Sequence, residues 1–142
     1  MRELIEKIKG KARSDKKVIV FPESTDYRIL NGCRAAVDQG IASPVLIGDK
    51  QEIEAAADKL GVSLEGMQVV SSSTAPHLDL YIETLVRIRG HKGMTKTEAE
   101  RLLTSSPMYL GTLMVQTGDA DGLIGGATTT TADTLRPALQ II

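Results

Sequence analysis

Three groups of residues in this 142-residue chain have the type and spacing to do chemistry. The first is Gly125-Gly-Ala-Thr-Thr-Thr-Thr131. It follows an apolar run that reads as a strand and precedes a segment that reads as a helix. In open α/β sheets, ligands bind beyond the carboxyl ends of strands. Glycines let the backbone come close to a ligand, and the N–H groups at a helix start favour an anion. The loop, Gly126 included, with its threonine hydroxyls as further donors, is therefore a candidate phosphate site. The alternative is a tight strand-to-helix turn whose threonines only cap the helix. Neither the dinucleotide fingerprint nor the P-loop pattern is present, and no lysine follows the glycines.

The second group centres on Arg136, about one turn into the segment after the glycines. A guanidinium there can bind an anion bidentately. The alternative is an i,i+3 ion pair with Asp133, worth a few tenths of a kcal/mol. The third group centres on Arg89. With Leu78 set at zero and ~100° per residue, Tyr81, Ile82, Leu85 and Ile88 fall within about 80°. Arg87 falls on the far side, whereas Arg89 falls near ~20°, among the apolar residues. A charge is rarely buried without a partner. Either the helix ends before Arg89, which Gly90 favours, or Arg89 reaches into a cleft. His77 and His91 lack metal-ligand spacing and read as surface or capping residues. Cys33 lies on the apolar side of its helix and reads as a small buried residue.

The periodicity predicts the elements that must position these residues. An amphipathic helix over 2–13 carries Leu4, Ile5 and Ile8 on one face. Val18–Phe21 reads as a strand buried on both faces. Pro22–Asp26 reads as a turn ending in a helix cap. Helix 27–39, strand 43–47, helix 51–60 stopped by Gly61, and strand 67–70 follow. Helix 77–89 comes next. A capping box at Thr95 and Glu98 opens another helix. Helix 107–117, strand 122–125 and a helix start at Thr130–Asp133 complete the order. Pro137 suits the first turn of a helix. Strands alternating with helices predict an α/β fold, a mostly parallel sheet flanked by helices. The apolar ending at Gln140-Ile-Ile142 carries no stop signal, which predicts a chain cut within a longer protein.

The formal charge is −1, with basic residues spread along the chain. That argues against nucleic acid or an anionic membrane as partner. Trp is absent and Phe occurs once, which leaves little for stacking on bases. One cysteine, no signal-peptide pattern and no apolar run long enough for a bilayer predict a cytoplasmic protein.

Phe21-Pro-Glu-Ser-Thr-Asp-Tyr-Arg28, Arg89-Gly-His-Lys-Gly-Met94, and Asp121-Gly-Leu-Ile-Gly-Gly-Ala127 with Thr130–Ile142 together resemble the phosphate acetyltransferase (phosphotransacetylase) family over essentially the whole chain. The last block is the most specific. The resemblance implies an isopropylmalate dehydrogenase-like α/β fold in two domains with a cleft between them. It implies acyl transfer from acetyl-CoA to phosphate, giving acetyl phosphate and CoA. Coenzyme A is then a substrate, and no cofactor or metal is expected. Arg89 and Arg136 match the arginines of two family motifs, and Thr130 and Thr131 fall just before the second. Many family members carry a histidine and a serine in that stretch, where this chain has threonines.

The implied domain is 1–142, the first domain only and incomplete. The second domain, the catalytic aspartate, a further arginine and the return elements lie in the family's continuation. No general base is assignable here, so the expectation is an inactive N-terminal fragment. A homo-oligomer is expected of the full-length form. The alternatives are a phosphate butyryltransferase-like enzyme and a non-catalytic phosphate- or CoA-binding domain.

Overall fold

The computed structural model describes residues 1–142. Helix α1 spans Arg2–Ser14, followed by strand β1 (Lys17–Phe21), helix α2 (Tyr27–Asp38) and strand β2 (Ala42–Ile47). Helix α3 (Lys50–Leu60), strand β3 (Gln68–Val70) and helix α4 (Leu78–Arg89) come next. A 3₁₀ turn (Gly90–Lys92) leads to helices α5 (Lys96–Ser105) and α6 (Pro107–Thr117), strand β4 (Gly122–Leu123) and helix α7 (Thr131–Ile141).

The start and stop signals act as the sequence predicts. Asp26 caps α2 by accepting from the Arg28 and Ile29 N–H groups, and Asp49 caps α3 through the Glu52 N–H. Gly61 ends α3 in the left-handed region at φ 67°, which favours glycine. Thr95 caps α5 through the Glu98 N–H, while the Glu98 carboxylate pairs with Arg101 instead of closing a reciprocal capping box. Pro137 departs from expectation. Thr130 caps α7 six residues earlier than a first-turn proline requires, so Pro137 lies inside the helix and fully buried. The local cap outweighs the one backbone donor that proline lacks.

All four strands are parallel, in the order β3-β2-β1-β4. The pleat divides the core in two. Val20, Val45, Ile47 and Val70 point to the larger cluster, which α4, α5 and α6 fill with Leu85, Leu103, Leu110 and Leu113. Phe21 and Leu46 point to the smaller one, with Leu30 and Cys33 of α2 and Ile53 of α3. Helices thus cover both faces of the sheet. Gly111 lets α6 lie on the sheet. A Cβ there would stand 2.9 Å from Val20 and 2.8 Å from Leu123 side-chain carbons. The apolar face of α1 is different, since Leu4, Ile5 and Ile8 are 56%, 44% and 57% exposed.

β1 and β4 are neighbours although about 100 residues separate them. Both carboxyl ends therefore open at the same place. Whatever follows Phe21 meets whatever follows Leu123.

Candidate functional site

Pro22-Glu23-Ser24 leaves β1 and Ile124-Gly-Gly-Ala-Thr-Thr129 leaves β4 at this shared edge. The last ladder bond runs from the Ile124 N–H to the Val20 carbonyl. The strand predicted to reach Gly125 therefore ends two residues sooner. Gly126 takes φ 104°, a left-handed value that lets the backbone curl. The curl closes on Glu23. Its Oε1 accepts from the N–H groups of Gly126 (2.7 Å) and Ala127 (2.9 Å). Its Oε2 accepts from the Thr129 N–H (2.7 Å) and from the Thr128 N–H. The hydroxyls of Thr128 and Thr129 donate to the same oxygen at 2.8 and 3.1 Å. Arg28, from the same sequence block, donates to the Ala127 carbonyl at 2.8 Å while paired with Asp26.

Successive backbone N–H groups in this arrangement form a nest for an anion, and here the anion is a side chain of the protein. Partial burial pushes the Glu23 carboxyl up. The hydrogen bonds from Thr128, Ala127 and Thr129 outweigh it and hold the group down at about 2. Glu23 is the residue that sequence reasoning missed. The signal was an acid two residues after a parallel strand, where ligands and their supports gather.

The run of four threonines splits by role. Thr128 and Thr129 bind Glu23. Thr130 caps α7, accepting from the Asp133 N–H at 3.1 Å and donating to the Asp133 carboxylate at 2.9 Å. Thr131 is the exposed first residue of the helix. The Gly126 amide, which the sequence offers to a ligand, is taken by Glu23.

A cleft of about 360 Å³ opens beside this loop, lined by Glu23, Ser106, Tyr109, Thr129, Asp133 and Arg136 among others. Arg136 makes the i,i+3 pair with Asp133 at 2.8 Å and still faces the cleft, with 55% of its side chain exposed. Arg89 is the last residue of α4, so the helix does not stop short of it. It is half-buried and belongs to none of the chain's ion pairs. Tyr109 lines the same cleft wall as Arg136. Burial raises its phenol, while the positive charges of Arg136 and Arg89 act to lower it. Its hydroxyl donates to Gln140 Oε1 at 2.8 Å, and Arg89 is not among the residues that line the cleft.

The remaining candidates lie elsewhere. His91 is exposed in the 3₁₀ turn. His77 precedes α4 without capping it, and its Nδ1 bonds Asp119 at 2.8 Å. Cys33 is buried, and burial pushes its thiol up to about 12. That is the inert behaviour expected of a core cysteine.

An open parallel α/β domain with an arginine-bearing cleft beyond its strand ends is the class that this geometry defines. The chain belongs to the phosphate acetyl/butaryl transferase family, which residues 3–142 match. It is 44% identical over 138 residues to the phosphate acetyltransferase of Acetivibrio thermocellus, covering 97% of this chain and 41% of that protein. It is 36% identical to the phosphate acetyltransferase of Bacillus subtilis, covering all of this chain and 43% of that one. The crystal structure of a phosphotransacetylase from Streptococcus pyogenes superposes with a TM-score of 0.92 at 32% identity, over 100% of this chain and 43% of that chain. The chain thus spans about two fifths of the length of these relatives.

Proposed function

We propose that this chain holds the anionic groups of the substrates in an acyl transfer between acetyl-CoA and phosphate that yields acetyl phosphate and CoA. The observation that carries the reading is the cleft beyond the strand ends, which Arg136 lines with a half-exposed guanidinium. Arg89 has no ion-pair partner of its own, and a partly buried guanidinium without one is suited to a ligand's phosphate or carboxylate. In the transfer, a thioester C–S bond breaks as a phosphate oxygen bonds the acetyl carbon. In reverse, the CoA thiol loses its proton and its sulfur displaces phosphate.

That proton needs a base. The two carboxylates of the cleft are both committed, Glu23 to the loop and Asp133 to Arg136 and Thr130. A carboxyl held at about 2 is a weak base at neutral pH. This favours binding and orientation as the role of these 142 residues, with the base supplied from outside them. The reading includes a cytoplasmic setting and self-association. Its support on location is that no helix is long and apolar enough to cross a membrane.

The test is calorimetric titration of CoA and of inorganic phosphate into the purified chain, alongside an assay of phosphate-dependent CoA release from acetyl-CoA. Arg136→Ala and Arg89→Ala should each weaken binding about tenfold or more, as loss of a charge-assisted contact does. Arg87→Ala, on the solvent side of α4, should leave it unchanged. Equal small effects from all three variants would remove the cleft reading. Turnover by the chain alone would show that a base lies within it.

A further inference from the structure

Glu23 stands out because six donors of one short loop converge on it and it belongs to no ion pair. A loop of consecutive N–H groups left open would draw an anion from solution. With Glu23 seated there, a ligand's phosphate meets a carboxylate and is repelled. Arg28 grips the same loop from its carbonyl side at Ala127. The loop runs without a break into the Thr130 cap and so into the helix that carries Arg136.

We propose that Glu23 is a positioning residue, the resident anion of the 126–129 loop, which fixes the start of α7 and leaves ligand anions to Arg136 and Arg89. The ligand part of this inference rests on the acyl-transfer reading. The loop part stands without it.

The experiment is NMR on the purified chain and its Glu23→Gln variant, with inorganic phosphate as the probe. In Glu23→Gln, the amides of Gly126–Thr129 should lose about tenfold or more of their exchange protection, because one accepting oxygen becomes an NH2 that cannot accept and the bonds to the other lose their charge. Amides of β1 and α6 should keep theirs. Phosphate added to the wild type should move the guanidinium signals of Arg136 and Arg89 and leave the four loop amides in place. It should bind the variant about tenfold more weakly.

Unchanged protection at Gly126–Thr129 would overturn the inference. So would tighter phosphate binding by Glu23→Gln, which would make the loop the ligand's seat and Glu23 a placeholder. A variant that does not fold leaves a decisive measurement on the wild type, the titration of the Glu23 carboxyl carbon. Ionisation persisting below about pH 3 supports the inference, and an ordinary midpoint refutes it. If phosphate binds neither protein while the loop amides respond as expected, the resident anion stands and the acyl-transfer reading falls.

Discussion

The sheet holds a committed carboxylate at each end, and the two are secured in different ways. At the carboxyl ends of β1 and β4, Glu23 is held mainly by backbone N–H groups of one loop. At the opposite end, just before β4, Asp119 is held by side chains. Tyr81 donates its hydroxyl, and His77 bonds the same oxygen at 2.8 Å. Helix α6 links the two, beginning beside the cleft and ending next to Asp119. Backbone donors are fixed once the loop has its shape and do not depend on which side chains the loop carries. Side-chain donors can be removed one at a time. The first arrangement ties the cleft edge to the fold as a whole, and the second fastens one helix start to one turn.

The largest expected effect is at Glu23. Its carboxyl is lowered from 4.5 to about 2, so its ionisation stabilises the folded chain. Since the folded value is the lower one, that contribution is complete above about pH 4.5 and is lost as pH falls toward 2. Urea unfolding of Glu23→Gln at neutral pH should show a loss of about 2–3 kcal/mol. Its stability should also fall less steeply than the wild type's between those two pH values.

Next comes Tyr81→Phe, which takes one donor from Asp119 and should cost about 1–2 kcal/mol in the same measurement. The Asp119 carboxyl is held below its ordinary value first by Tyr81 and then by His77. Removing the phenol should therefore raise its titration midpoint. If Tyr81→Phe costs as much as Glu23→Gln, the two ends are equivalent and the contrast between them fails.

The smallest effect is at His77, whose side chain is 58% exposed. His77→Ala should cost less than about 1 kcal/mol, and the difference should shrink with added salt. A larger, salt-insensitive loss would mean that the ring's edge-on packing against Tyr81 (centroids 6.3 Å apart) matters more than the bond to Asp119.

Much of this was legible in the sequence where the governing interaction is local. The caps at Asp26, Thr95 and Thr130, and the stop at Gly61, act across two to four residues. The helical wheel put Arg89 on the buried side of α4, and its partial burial agrees. Reading failed where a distant partner decides. The predicted strand reaches Gly125, whereas β4 ends at Leu123 and the chain beyond it turns to bond Glu23, a residue far away in sequence. Pro137 read as a helix start because proline tolerates that position, yet the cap at Thr130 had already begun the helix. The apolar face of α1 was correctly periodic, but periodicity does not supply a surface to bury it.

The sequence by itself determined the order of strands and helices, the parallel sheet implied by that order, and the two arginines with the residue types to hold an anion. These follow from side-chain period and capping chemistry within a few residues. Only the tertiary structure decided that Glu23 fills the glycine loop, 103 residues away from Gly126. That meeting depends on β1 lying next to β4, with both carboxyl ends opening at one edge. It is set by how the whole sheet packs, and no local spacing encodes it.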